Sequence, residues 1–218
     1  MKKGKIIGGA LSCLMLCGLL VGCSSNTDSS EGNTQSTTSS TVSTVSKNDF
    51  EATTVPYEKG TITETEFTSK WMGLKYTLSD DMYMMSEEYL ESQSISGKVQ
   101  MEMQAIKDDA SGDNIVILTE ELSSLASIDE KRYLEISKPQ IETLADKVMF
   151  DEVRQRIVAG ETFYELPYHL SMEIDGTSVT LDQTFLCKKL DDRMICMTLT
   201  HSGENSINNL LAGFSKIS

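Results

Sequence analysis

Four consecutive strand-like segments with tight turn signals constrain the fold more than any other feature of this chain. They are Val148 to Val158, Glu161 to Ile174, Ser178 to Lys189 and Arg193 to His201. Asp175-Gly176 separates the second from the third, and Asp-Gly favours the positive φ angles of a two-residue hairpin turn. Asp191-Asp192 offers a second such turn between the third and fourth. Strands joined by two-residue turns must be antiparallel neighbours, because a parallel pair needs a crossover of about a dozen residues or more. The rest of the chain has to pack on this antiparallel meander.

The segments before and after it are shorter. Thr61 to Met72 reads as a strand, Gly73 as a turn, and Leu74 to Leu78 as a second strand. Ser86 is placed to cap a short helix that runs to about Gln93. Val99 to Ile106 alternates, with Val99, Met101, Met103 and Ala105 expected on one face, and Asn114 to Thr119 is a compact apolar strand. Ser127-Ile128-Asp129-Glu130 has the form of a capping box. The helix after it should turn Tyr133, Ile136, Ile141 and Leu144 inward, and Pro139 should kink or break it. Ile207, Leu210, Leu211 and Phe214 fall at i, i+3, i+4 and i+7, the pattern of an amphipathic helix.

The expected order is ββ-α-ββ-α-ββββ-α. That is an α+β domain, an antiparallel β-sheet with helices packed against it, over residues 61–218. The span suits a single domain with its own core.

In order and pattern this region resembles the PsbP-like superfamily. Trp71-Met72-Gly73-Leu74-Lys75-Tyr76-Thr77-Leu78 and Ser86-Glu87-Glu88-Tyr89-Leu90 are similar to that family's opening hairpin and first helix. Gly160-Glu161-Thr162-Phe163-Tyr164 and Gln183-Thr184-Phe185 are similar to its late strands. Leu78-Ser79-Asp80-Asp81 departs from the pattern, since relatives commonly carry a proline there. Members include photosynthetic oxygen-evolution subunits, a fungal factor that binds the Ran GTPase, effector-chaperone domains and bacterial lipoproteins. The resemblance implies binding and assembly, with no shared catalytic site and no functional residue to carry over.

The N-terminus carries an address. Lys2, Lys3 and Lys5 precede an apolar run from Ile6 to Val21, which ends Leu20-Val21-Gly22-Cys23. This resembles a bacterial lipoprotein signal with its lipobox, LVGC. The run is short for a spanning helix, which needs about 20 residues. The resemblance implies residues 1–22 as a signal peptide, cleavage after Gly22 and a lipidated Cys23. The bilayer is then a partner through the acyl chains of Cys23, palmitate among them. Each buried CH₂ contributes about 0.8 kcal/mol, so two or three chains hold firmly.

Residues 23–60 follow as a tether. The stretch 24–46 is dominated by Ser and Thr and has no aromatic residue, so it cannot bury enough apolar surface to offset ordering entropy. Such a chain reaches roughly 35 Å on average. With an acidic mature chain, it suggests a Gram-positive cell surface. The net charge of the full sequence is −14. Losing three of 19 basic side chains with the signal leaves 16 against 33 acids, or −17. Nucleic acid and anionic lipid headgroups are poor partners for that surface.

Two of the five cysteines, Cys13 and Cys17, leave with the signal, and Cys23 carries lipid. Cys187 and Cys196 remain. If Asp191-Asp192 is the turn, residue i pairs with residue 383 − i, and Cys187 faces Cys196 within disulfide range. A register shifted by one residue would instead put Val179, Leu181, Phe185 and Cys187 on the same side as Ile195, Met197 and Leu199. The cysteines would then lie on opposite faces as buried thiols. Both readings stand on the sequence.

Other candidate sites have ordinary explanations. His169 and His201 read as strand residues with no ligand or triad partner at helix spacing. Asp109, Ser111, Asp113 and Glu120 match calcium-loop offsets 1, 3, 5 and 12, yet Asn114 holds the place of the required glycine. Met82, Met84, Met85, Met101 and Met103 could offer soft ligands, but core filling accounts for them. The acid pairs Asp80-Asp81, Glu87-Glu88, Glu120-Glu121 and Asp191-Asp192 read as solvated turns. Trp71, Tyr76, Tyr83, Phe163, Tyr164 and Tyr168 are the large anchors of a core.

No cofactor, metal or catalytic residue is implied. The expected function is that of an extracytoplasmic lipoprotein, lipid-anchored to the cell membrane, that binds or assembles with an unknown protein or small ligand. The alternative is an extracytoplasmic carboxylate-dependent hydrolase.

Overall fold

The computed structural model describes residues 56–109, 111–122, 127–174 and 176–217. The signal peptide, Cys23, most of the tether and Asp175 lie outside the described residues.

In chain order the elements are β1 (Thr61–Ile62), β2 (Glu66–Ser69), β3 (Leu74–Thr77), β4 (Met82–Met84), α1 (Glu87–Gln93), β5 (Val99–Lys107) and β6 (Asn114–Glu121). Then come α2 (Glu130–Ile141) with a 3₁₀ turn (Glu142–Leu144), β7 (Lys147–Phe150), β8 (Arg154–Val158), β9 (Glu161–Ile174) and β10 (Thr177–Leu190). The chain ends with β11 (Arg193–His201), α3 (Glu204–Ala212) and β12 (Phe214–Lys216). The fold is α+β, mostly antiparallel sheet with three helices among the described residues.

The finer order differs from expectation at four places. The opening strand is two short strands, β1 and β2, paired with each other. Met82–Met84 forms an unforeseen strand against β5. Val148 to Val158 is two strands, β7 and β8, which pair with different stretches of β9. Phe214 leaves the C-terminal helix and opens β12, which pairs with β3.

Two sheets result. The small one has the order β1-β2-β3-β12. The large one runs β4-β5-β6-β11-β10-β9-β7, with β8 also paired to β9. The large sheet is covered on both faces. One face packs under α1 and α2, through Leu90, Tyr133, Leu134 and Ile141 onto Val99, Met101, Leu118, Phe185, Cys187 and Cys196. The other packs against the small sheet, with Phe67, Trp71, Leu74 and Tyr76 meeting Met103, Ile115, Leu186, Ile195, Met197 and Leu199.

This layering resolves the register. Leu190 pairs with Arg193, and Cys187 pairs directly with Cys196, as the Asp191-Asp192 turn requires. Asp191 takes the positive φ (53°) that such a turn needs. The apolar sets on the two strands need not share a side, because each face of the sheet has its own core. At the preceding hairpin, β9 and β10 also pair across a two-residue turn, from Ile174 to Thr177, with Gly176 at φ 74°.

Local caps differ in one case. Ser86 accepts a hydrogen bond from the Tyr89 amide, as its position before α1 predicts. The cap of α2 is Asp129, which accepts from Arg132 N at 2.7 Å, and not Ser127. A carboxylate at that position also suits the positive helix end. Pro139 lies inside α2 without ending it; the helix runs two residues further and tightens into the 3₁₀ turn. Proline gives no N–H to the carbonyl four residues back, and the helix ends within one turn of it.

Candidate functional site

Three segments distant in sequence converge on a polar cleft of about 450 Å³. Ser79, Asp81 and Met82 come from the turn into β4. Lys107 ends β5, and Asp113 precedes β6. Ser202, Asn205, Ser206, Asn209, Leu210 and Ala212 come from α3 and its entry. The sequence explains the α3 contribution. Ile207 and Leu210 point to the core, so Asn205 and Asn209, one turn apart, are left on the exposed face.

Asp113 is the focus of the cleft. Its side chain is 4% exposed. Oδ2 accepts from the Ser206 hydroxyl at 2.5 Å, which ties the β6 entry to the first turn of α3. Oδ1 is buried and has no hydrogen-bond partner. An unsatisfied buried carboxylate oxygen costs free energy and is uncommon in folded proteins.

The other charges at the cleft are already engaged. Lys107 Nζ lies 3.0 Å from Asp109 and 3.5 Å from Asp81. Asp81 also accepts from the Ser79 hydroxyl, and this bond, with Lys107, holds its carboxyl below the usual range. Asp109 accepts from both the amide and the hydroxyl of Ser111. Those bonds and Lys107 pull it down to about 2.

The calcium-loop spacing does not assemble into a site. Asp109 closes on Ser111 and Lys107, Asp113 turns to Ser206, and Glu120 is on the far face, accepting from the Tyr133 hydroxyl at 2.6 Å. No cluster of three His, Cys, Asp or Glu side chains suited to a metal occurs among the described residues. The methionines are also dispersed: Met101 and Met103 belong to opposite cores.

The histidines serve the sheet. His169 Nδ1 is 2.7 Å from Asp182 Oδ1, its direct cross-strand partner on β10. His201 Nδ1 accepts from the Gly203 amide, so its Nε2 is the donor to the Thr184 hydroxyl at 3.0 Å. Burial lowers the pKa of His201.

Cys187 and Cys196 are free and buried beneath α2. The Cys187 thiol donates to the Glu130 carbonyl at 3.4 Å, and the Cys196 thiol to the Tyr133 hydroxyl at 3.3 Å. Burial pushes both thiols far up, which suppresses the reactive thiolate.

Two buried carboxylates went unnoticed in the sequence. Glu102 accepts from the Tyr57 hydroxyl at 2.7 Å, the Gly60 amide at 2.8 Å and the Thr119 hydroxyl at 3.2 Å. It thereby moors the segment by which the chain enters the domain. The Arg193 guanidinium lies 3.8 Å from the centre of the Tyr57 ring and closes that mooring from outside. Glu165 is fully buried and bonds Arg154 and Arg156, while Arg156 also reaches Glu204 on α3. Alternation along the strands gave no sign of either, since both occupy positions that a simple pattern assigns to apolar or surface residues.

The molecule is thus an α+β domain with a two-sided core and a polar cleft at one end of its large sheet. No protein-family model matches the chain, and no curated protein sequence matches it. Solved structures with which it shares a likeness include LpqN, involved in cell envelope biogenesis of Mycobacterium tuberculosis. That match has TM-score 0.43 and 11% identity, over 66% of this chain and 83% of that one. Cyanobacterial PsbP (CyanoP) from Synechocystis aligns with TM-score 0.43 and 12% identity, over 72% of this chain and 95% of its own. A protein from Bacteroides thetaiotaomicron aligns with TM-score 0.42 and 8% identity, over 72% of this chain; the chain spans half of that protein's length. No helix among the described residues is long and apolar enough to cross a membrane.

Proposed function

We propose that this chain is an extracytoplasmic lipoprotein, anchored to the cell membrane through acylated Cys23, whose PsbP-like domain acts as a binding or assembly module. The observation that carries the reading is Leu20-Val21-Gly22-Cys23 behind a basic, then apolar, N-terminus. The Ser/Thr-rich stretch behind Cys23 supplies the reach of a tether. Mooring of Tyr57 and Gly60 on Glu102 supports the same reading, because it gives a tether a fixed exit from the domain.

Cell fractionation of a Cys23→Ala variant tests it. The wild-type chain is expected in the membrane fraction and the variant in the soluble extracytoplasmic or culture fraction. A variant that stays membrane-bound contradicts lipid anchoring.

A further inference from the structure

We infer that the open edge of β10, near the tip of the β9–β10 hairpin, takes up an extended cationic segment of another protein as an added β-strand. This rests on the reading of the domain as a binding module and names its surface and partner class.

The register leaves this edge open. β10 pairs with β9 from Thr177 onward, but its pairing with β11 starts only at Asp182. β11 ends at His201, opposite Asp182, and the chain then turns into α3. Thr177 to Leu181 therefore have a strand neighbour on one side only. A two-residue turn is closed by a hydrogen-bonded pair, here Ile174 with Thr177, and the pair types then alternate. Ser178 and Thr180 fall at non-hydrogen-bonded positions against β9, so their N–H and C=O groups point to the open side. No backbone hydrogen bond meets them there among the described residues. Both residues are exposed.

Natural sheet edges are guarded by Lys, Pro, bulges or covering segments. Thr177-Ser178-Val179-Thr180-Leu181 holds no charge, Pro or Gly, and its pairing with β9 is regular throughout. Val179 pairs with Met172, and Leu181 with Leu170. Leu170 belongs to the helix-side core, and Met172 and Leu181 pack against it. A strand added beside β10 extends that apolar stripe with its alternate side chains, while ladder hydrogen bonds hold its backbone.

Charge selects the occupant. The hairpin carries Glu173, Asp175 and Asp182, and no Lys or Arg occurs between Arg156 and Lys188. Asp182 is met by His169, and neither it nor Glu173 pairs with a Lys or Arg among the described residues. Lys147 stands two strands from Thr180, beyond Ser171. The whole chain is also acidic, at −14. A second copy would bring two acidic hairpins together, whereas Lys or Arg flanks on a partner strand complement them.

Fluorescence anisotropy on the full mature chain in detergent tests the edge. The probe is a labelled, end-blocked peptide, Lys-Val-Thr-Val-Thr-Lys. One comparator has Glu for both Lys, and the other is N-methylated at its inner amides. The cationic peptide is expected to bind, and each comparator to bind about tenfold more weakly. Thr180→Pro removes the outward N–H at a place where an edge strand tolerates Pro. Thr180→Lys puts a guarding charge at an exposed position, so it reads binding independently of folding. Each is expected to weaken the cationic peptide about tenfold. Four results would overturn the inference. They are no binding of the cationic peptide, equal binding of either comparator, unchanged affinity in both variants, or a wild-type dimer in sedimentation that Thr180→Lys splits. The last would give the edge to a second copy. Repeating the titration on Cys23→Ala separates the two proposals. A soluble variant that binds no peptide contradicts the edge alone, and a membrane-bound variant that binds it contradicts the anchor alone.

Discussion

Met101 and Met103 are two residues apart on one strand, yet they lie in opposite cores. Regular alternation would put them on one face. The register slips between them: Met101 pairs with Leu118 and Met103 with Ile117. Glu102 is the extra residue of this β-bulge. The bulge turns one strand from the helix-covered face to the small-sheet face and aims Glu102 at Tyr57 and Gly60.

Glu102 makes stability depend on pH in a defined direction. Burial raises its pKa above the ordinary carboxylate value, against the lowering effect of its three donors. A raised folded-state pKa stabilises the fold below the unfolded value of about 4.3, and this contribution is lost as pH rises through the folded value. Glu102→Gln removes that titration. In urea unfolding between pH 4 and 7, the stability of wild type relative to Glu102→Gln should therefore fall as pH rises. A difference independent of pH would contradict the assignment.

Arg154 and Arg156 both hold Glu165, but they should not be equivalent. Both also reach Glu204, Arg156 at 2.9 Å and Arg154 at 3.8 Å, but the Arg156 side chain is 15% exposed and that of Arg154 56%. Removing Arg156 weakens the compensation of a fully buried carboxylate. Arg156→Ala should cost about 3 kcal/mol. Arg154→Ala should cost about 1 kcal/mol or less. Equal losses in denaturant unfolding would show that the two arginines share the charge evenly.

The turn from β8 to β9 holds stored strain. Ala159 sits at φ 48° and Gly160 at φ 78°. An L-residue other than Gly, Asn or Asp pays about 1–2 kcal/mol in that region. Ala159→Gly should stabilise the protein by roughly 0.5 kcal/mol, once added chain entropy in the unfolded state is set against the relief. Gly160→Ala should destabilise it, through φ and through the Lys216 side chain 3.3 Å from the new methyl. Thermal unfolding reads both signs.

The two thiols should be silent in the folded protein. Both are buried, each has a hydrogen-bond partner, and neither forms a thiolate readily. Thiol labelling of a chain unfolded without reductant should modify Cys187 and Cys196. Labelling of the native chain should modify neither. Failure to label after unfolding would show that the pair is oxidised, which their direct register allows.

The late hairpins were legible because turn chemistry is local. The Asp191-Asp192 turn offered the observed partner of every residue from Asp182 to Leu190. The shifted register was set aside only by the two-sided core, which no single strand pattern shows. Ser86 and the spacing of Ile207 and Leu210 were legible because they too are local. The bulge at Glu102 was not, since it is a register slip against β6 and its carboxylate finds its partner in Tyr57, 45 residues earlier. The strands β4 and β12 are three residues each and gain their order from β5 and β3, so no pattern of their own marks them. At the cleft, Asp113 drew notice for the wrong chemistry. Its actual partner, Ser206, lies 93 residues away. The polar i, i+4 pair Asn205 and Asn209 was the one local signal for the site, on the free face of an amphipathic helix.

Anchoring through Cys23 is the central claim, and intact-mass and N-terminal peptide mass spectrometry of the protein purified from membranes addresses it most directly. The mature chain is predicted to begin at Cys23 and to carry a diacylglyceryl modification on that residue. A chain that retains residues 1–22, or begins elsewhere with an unmodified Cys23, would contradict it.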